Sequence, residues 1–300
     1  MFNKILVCVD PYPPGDNLLC CVFPMKQCGA KEIILAYILN ADTPQALGGM
    51  VLAQTQPEME RQQKLLEEVG FAVTLAMPRG VPAQALHDLA ETEEVSLIVI
   101  GTHGRRLPST LALGSVSSKL LHLTRRPVLL SRAGMAEKAT HDCQELFSHL
   151  LFPTDFSDPA EIAFAYLETL IRARKCRVTL LHVQDGARPA PHLGHRIREL
   201  RELDAARLQR LKLWLERAGA TQVDVELVQG NPGDEVVNMA TNKGCSLILM
   251  GTQGKGITRE LLLGSVAHQV VRHAEQPILL IPALPQSITE DGEDLGVTSL

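Results

Sequence analysis

The chain repeats itself, and that repeat restricts its fold more than any other feature. Laying Gly101 on Gly251 also lays Gly80 on Gly230, Gly114 on Gly264 and Pro127 on Pro277, all at an offset of 150. Nearer the start of each half the offset is 145, matching Asp10 with Asp155 and Ile38 with Val183. About five extra residues therefore lie between Val183 and Gly230. Collinear matches with one insertion are what duplication of a whole folding unit leaves behind. A chain of 300 residues also has the length of about two domains.

Each half alternates strand-like and helix-like segments. In the first, Lys4–Val9, Glu32–Leu39, Phe71–Ala76, Ser96–Ile100 and Val128–Ser131 read as strands. Helices are expected over residues 17–28, 56–69, 82–91 and 113–123, with 40–54 a loop tipped by Gly48-Gly49. Pro57 would sit in the first turn of its helix and Gly70 would end it. The order recurs in the second half. Strands are expected at 147–152, 177–183, 222–228, 247–250 and 277–281. Asp158 is expected to cap the first helix there, with Pro159 and Glu161 in its first turn. Helices are further expected over 195–218, 232–243 and 262–273. Alternating strands and helices imply parallel sheets with helices on both faces. The expected fold is α/β: two tandem open five-stranded parallel sheets of order 3-2-1-4-5, Rossmann-like. The expected division is 1–132, a linker 133–146, 147–283, and an acidic tail 284–300 without Lys or Arg.

Such sheets bind ligands at the carboxyl ends of their strands. There the fourth strand of each half runs into a glycine-rich loop followed by a helix. The second half has Gly251-Thr-Gln-Gly254, then nine residues, then Gly264-Ser265; the first has Gly101-Thr-His-Gly104, then nine, then Gly114-Ser115. Glycines let the backbone turn tightly and approach a ligand closely. The following helix N-terminus offers unpaired N–H groups to an anion. In a plainer reading the loops are tight turns, Ser115 and Ser265 are helix caps worth about 1 kcal/mol, and Asp10 and Asp155 merely end strands.

Together these residues resemble the universal stress protein family in its tandem, UspA-like form, over nearly the whole chain. The resemblance implies ATP binding, with the Gly loop and Ser around phosphates and ribose. The aspartate after strand one and a main-chain group at the end of strand two would hold the adenosine. Carried over, the second half offers Asp155, Val183, Gly251, Gln253, Gly254, Gly264, Ser265 and Val266. The first offers Asp10, Ile38, Gly101, His103, Gly104, Gly114, Ser115 and Val116. Mg²⁺ would accompany the phosphates. The resemblance also implies pairing of the halves through their fifth strands as a pseudo-dimer, with a homodimer of chains and an unidentified protein partner as further expectations. The loop Asp10-Pro-Tyr-Pro-Pro-Gly is the weaker adenosine side of the two.

Other classes find less support. The net charge is −5, with no basic tract to attract nucleic acid or an anionic membrane. No signal peptide or membrane span is apparent, and seven cysteines without a C-x-x-C fit a reduced, cytoplasmic setting rather than a disulfide framework. No Walker-type Lys or zinc spacing is present. His192-Leu-Gly-His195 follows strand two, the wrong place for a nucleotidyltransferase. No nucleophile–base pair is visible, so the expectation is a nucleotide-dependent regulator. An interaction scaffold or a slow ATPase are the alternatives.

Overall fold

The computed structural model describes residues 2–9, 16–102, 113–131, 143–185, 194–254 and 263–283. In the first half the elements are β1 (Lys4–Cys8), α1 (Asp16–Val22), β2 (Glu32–Ala36), β3 (Leu39–Asn40), α2 (Gln45–Glu68), β4 (Ala72–Ala76), β5 (Arg79–Gly80), α3 (Pro82–Thr92), β6 (Leu97–Gly101), α4 (Ser115–Leu121) and β7 (Val128–Ser131). In the second they are β8 (His149–Pro153), α5 (Asp158–Ala173), β9 (Arg177–Asp185), α6 (Gly194–Ala218), β10 (Gln222–Gly230), α7 (Pro232–Asn242), β11 (Leu247–Gly251), α8 (Ser265–His273) and β12 (Ile278–Ile281). Short 3-10 turns follow α1 and precede β8.

Ten strands form one sheet, ordered β10-β9-β8-β11-β12-β7-β6-β1-β2-β4. Each half has the order 3-2-1-4-5, and every pairing within a half is parallel. The halves join through β12 and β7, which pair antiparallel with Leu279 opposite Leu129. The two expected sheets are thus one continuous sheet, seamed at the fifth strands. Apolar runs such as 5–7, 97–100 and 247–250 fill its inner strands because helices cover both faces. Alternation sends Leu129 and Leu279 to one face with Val7, Leu35, Phe152 and Leu249. It sends Leu130 and Leu280 to the other with Leu6, Ile98, Leu151 and Ile248.

Four local expectations are corrected. The first half's long helix begins at Gln45, so residues 45–54 are helical and Pro57 lies in the helix interior. Gly48-Gly49 looked like a loop tip, but a Cβ at Gly48 would already touch Leu39 Cδ2 at 3.4 Å; the glycine brings α2 close to that side chain. Strand two of the first half is split into β2 and β3, as its neighbour is split into β4 and β5. Pro78 has no N–H to extend the ladder, though its carbonyl still accepts from Leu39 N at 3.0 Å. Ser157, not Asp158, caps α5, its hydroxyl accepting from Ala160 N. Gly114 and Gly264 occupy the N-cap positions of α4 and α8 with no side-chain cap, placing Ser115 and Ser265 at the first helical residue.

Among the cysteines, Cys8, Cys21, Cys28, Cys176 and Cys245 are free thiols. Cys21 and Cys28 are core residues, 1% and 7% exposed, and burial pushes both thiols up to about 11. Cys20 is disulfide-bonded. Among the described residues, no helix is long and apolar enough to cross a membrane.

Candidate functional site

The second half's glycine loop begins where β11 leaves the sheet. Thr252, buried, donates its N–H to Ile281 O at 2.9 Å and accepts from Gly264 N at 2.7 Å, so one residue ties together both ends of the loop. Thr102 repeats this in the first half, donating to Ser131 O at 2.8 Å and accepting from Gly114 N at 2.6 Å. The loop leaves little room for a side chain here. A Cβ on Gly254 would lie 2.5 Å from Asp155 Oδ2, and one on Gly251 would lie 3.2 Å from Pro159 O. The loop and the aspartate, 99 residues apart by number (254 − 155), are therefore in direct apposition.

Asp155 follows β8, and its Oδ1 accepts from Ser157 N at 3.1 Å and Ser157 Oγ at 2.5 Å. The next residue, Phe156, has φ +57°, a left-handed conformation that costs a non-glycine residue about 1–3 kcal/mol. Its ring offsets this by packing 4.7 Å from the His182 ring and 5.3 Å beneath the Arg207 guanidinium. His182 lies one residue before Val183 on β9; its Nδ1 is 2.7 Å from Thr154 O, and its Nε2 is 3.4 Å from Asp204 Oδ2 on α6.

These elements enclose a cavity of about 770 Å³ at the carboxyl ends of β8, β9 and β11, within the size range of small-molecule sites. Its lining includes all eight residues singled out in the second half: Asp155, Val183, Gly251, Gln253, Gly254, Gly264, Ser265 and Val266. The cavity is polarised. Asp155, Asp185 and Asp204 stand on the β8–β9–α6 side. The uncapped start of α8, with Ser265 exposed, stands on the other. An anionic group is favoured at α8 by the helix dipole and disfavoured at the carboxylates.

Sequence reasoning missed His182, Gln184, Asp204 and Arg207, which also line the cavity. They belong to no motif, and α6 read as a charged surface helix. In the first half, Gly101 ends β6, Gly114 and Ser115 open α4, and Val116 and Ile38 are half-buried. Asp10, His103 and Gly104 lie outside the described residues, as do Lys255 and His192. Among the described residues, no cluster of three or more His, Cys, Asp or Glu has the arrangement of a metal site.

A doubly wound α/β unit used twice, with a glycine loop over a rim cavity, defines the class. The sequence model described as the universal stress protein family matches residues 1–132 and 146–282. The chain belongs to that family. A universal stress protein of Methanocaldococcus jannaschii is 30% identical over 155 residues, 45% of this chain and 95% of its own. One from Mycolicibacterium smegmatis is 26% identical over 229 residues, 74% of this chain and 75% of its own. The crystal structure of a universal stress protein from Archaeoglobus fulgidus shares the fold over 93% of this chain and 98% of its own, with a TM-score of 0.66 at 21% identity.

Proposed function

We infer that the second half binds ATP in this cavity and that occupancy makes the protein a nucleotide-dependent regulator in the cytoplasmic stress response. One observation carries the reading: the eight residues of the second half that the resemblance assigns to a nucleotide line a single cavity polarised for a ligand with one anionic end. The phosphates sit at Gly251, Gly254, Gly264, Ser265 and Val266, where N–H groups at the start of α8 and the Ser265 hydroxyl donate. Ribose and base run toward Asp155 and Val183. Mg²⁺ travels with the phosphates, as that ion is commonly held through one or two carboxylates and phosphate oxygens rather than in a protein cage. Residues 1–132 and 147–283 act as the two repeats, linked by 133–146 and followed by the tail 284–300. A ligand shifts a partner-binding state only by its difference in affinity between states, so a partner should distinguish the bound from the free form.

Calorimetric titration of the nucleotide-stripped protein with ATP and Mg²⁺ tests this. Binding at one site per chain is expected in the second half, weakened about tenfold or more, or about 1.4 kcal/mol, in Gly254→Val. The valine Cβ needs the place of the Asp155 carboxylate. Absence of binding to a wild type shown folded by circular dichroism would favour the nucleotide-independent scaffold.

A further inference from the structure

The cavity wall opposite the glycine loop differs between the repeats. Gly70 and Gly219 both end the long helix of their half in a left-handed conformation, at φ +92° and +111°. Laying one on the other puts Leu66 on Leu215 and Met59 on Leu208, all four with 0% exposure. The same alignment puts Thr55 on Asp204 and Glu58 on Arg207. On strand two, Leu39 falls on Gln184, each directly after the residue assigned to the adenosine end.

The first half fills this corner with apolar or self-satisfied groups. Leu39 is 5% exposed and packs beside Gly48 of α2. Thr55 returns its hydroxyl to Val51 O at 2.8 Å. In the second half Gln184 and Asp204 both line the cavity, and Gln184 Nε2 donates to Asp204 Oδ2 at 3.0 Å. An ionised carboxylate can only accept, so this bond fixes which end of the amide faces α6. The NH₂ turns to Asp204 and the carbonyl oxygen turns away from it. Asp204 also lies 3.4 Å from His182 Nε2 and 3.7 Å from Arg207 Nη1, and Arg207 rests on Phe156.

We propose that Gln184, oriented by Asp204, selects the base of the nucleotide: its carbonyl oxygen accepts from an exocyclic amino group, favouring a 6-amino purine over a 6-oxo purine. Gln184 is the specificity-determining residue and Asp204 a positioning residue acting through it. A 6-oxo purine sets an acceptor against an acceptor, leaving both unsatisfied. This inference rests on the nucleotide reading above, with Val183 beside the base.

Titration with ATP and with ITP separates the two ideas. The wild type should prefer ATP by about tenfold or more. Gln184→Leu, which copies Leu39 of the first half, should bring the two affinities to within about twofold while phosphate contacts keep ATP bound. Asp204→Asn offers an amide that can either donate or accept, so Gln184 can reverse; the preference should fall to about threefold or less. A purely structural role for Asp204 would weaken both nucleotides alike and leave their ratio. If ATP binds and the ratio is unchanged in both folded variants, base selection by Gln184 is wrong while the nucleotide site stands. If the folded wild type binds neither nucleotide, the site itself is wrong and the inference falls with it.

Discussion

His149 shows how burial governs the charge of one side chain. It opens β8 at the end of the sheet remote from the cavity, 7% exposed, with Nε2 2.9 Å from Thr179 Oγ1 and 3.7 Å from Cys245 Sγ. Burial, and then the positive charge of Arg177, hold its pKa below the usual value; Asp224 opposes the shift, while Lys243 adds a backbone contact that opposes it and a charge that reinforces it. The folded state thus prefers the neutral ring, whereas the unfolded chain takes up a proton near pH 6.5. As pH falls through that value the unfolded state binds more protons, and stability is lost down to the lower folded pKa. The urea midpoint should therefore be lower at pH 5 than at pH 7.5. His149→Gln should reduce that difference; an unchanged difference would assign the pH effect to other groups. Residue-scale legibility was good where sterics were involved and poor where partners were. Asp155 and Gly254 stood out through the repeat, and they touch. His182, Asp204 and Gln184 did not, because their roles come from contacts between β9 and α6 that no spacing encodes. The signal available was the contrast between repeats: Leu39 against Gln184, Thr55 against Asp204.

At the scale of elements, α2 is where local propensity and tertiary structure disagree. Pro44, Gly48, Gly49 and Pro57 all argue against a helix through residues 45–57, yet the helix runs from Gln45 to Glu68. Packing overrides propensity here: Thr55, Met59, Gln62 and Leu66 are buried at 0–1% exposure along one face. Pro57 is exposed on the other face, where its ring contributes no core contact and it lacks the N–H that would bond back along the helix. An interior proline costs about 3 kcal/mol relative to alanine, offset in part by the freedom alanine restores to the unfolded chain. Pro57→Ala should raise the unfolding free energy by about 1–3 kcal/mol. Denaturant titration measures it, and no gain would show that the surrounding backbone has adapted to the ring. Elsewhere the elements were readable because their signals agreed with their packing, as at Gly70 and Gly219 with positive φ.

At the scale of the molecule, the seam decides whether the repeats behave as one body. β12 and β7 pair across it, and both faces of the sheet carry apolar clusters drawn from both halves. Phe2 and Tyr166 bring their rings to 6.0 Å across the same divide. The sequence made this pairing an expectation by resemblance alone, since an apolar strand such as Val128–Ser131 does not name its neighbour. Such a seam should couple the unfolding of the halves, because opening it exposes fifth strands buried on both faces. Leu35 tests the coupling from a distance: it lies on β2, three strands from the seam, at 0% exposure. Leu35→Ala should cost about 2–5 kcal/mol. The chain's single tryptophan, Trp214, reports from α6 in the other half, its indole hydrogen-bonded to Glu168. A coupled molecule unfolds in one transition, so Trp214 fluorescence and far-ultraviolet circular dichroism should move together to the lower denaturant concentration. Were the fluorescence midpoint to stay at its wild-type value while the circular dichroism trace split in two, the halves would be independent. A switch in the second half would then have no route through the fold to the first.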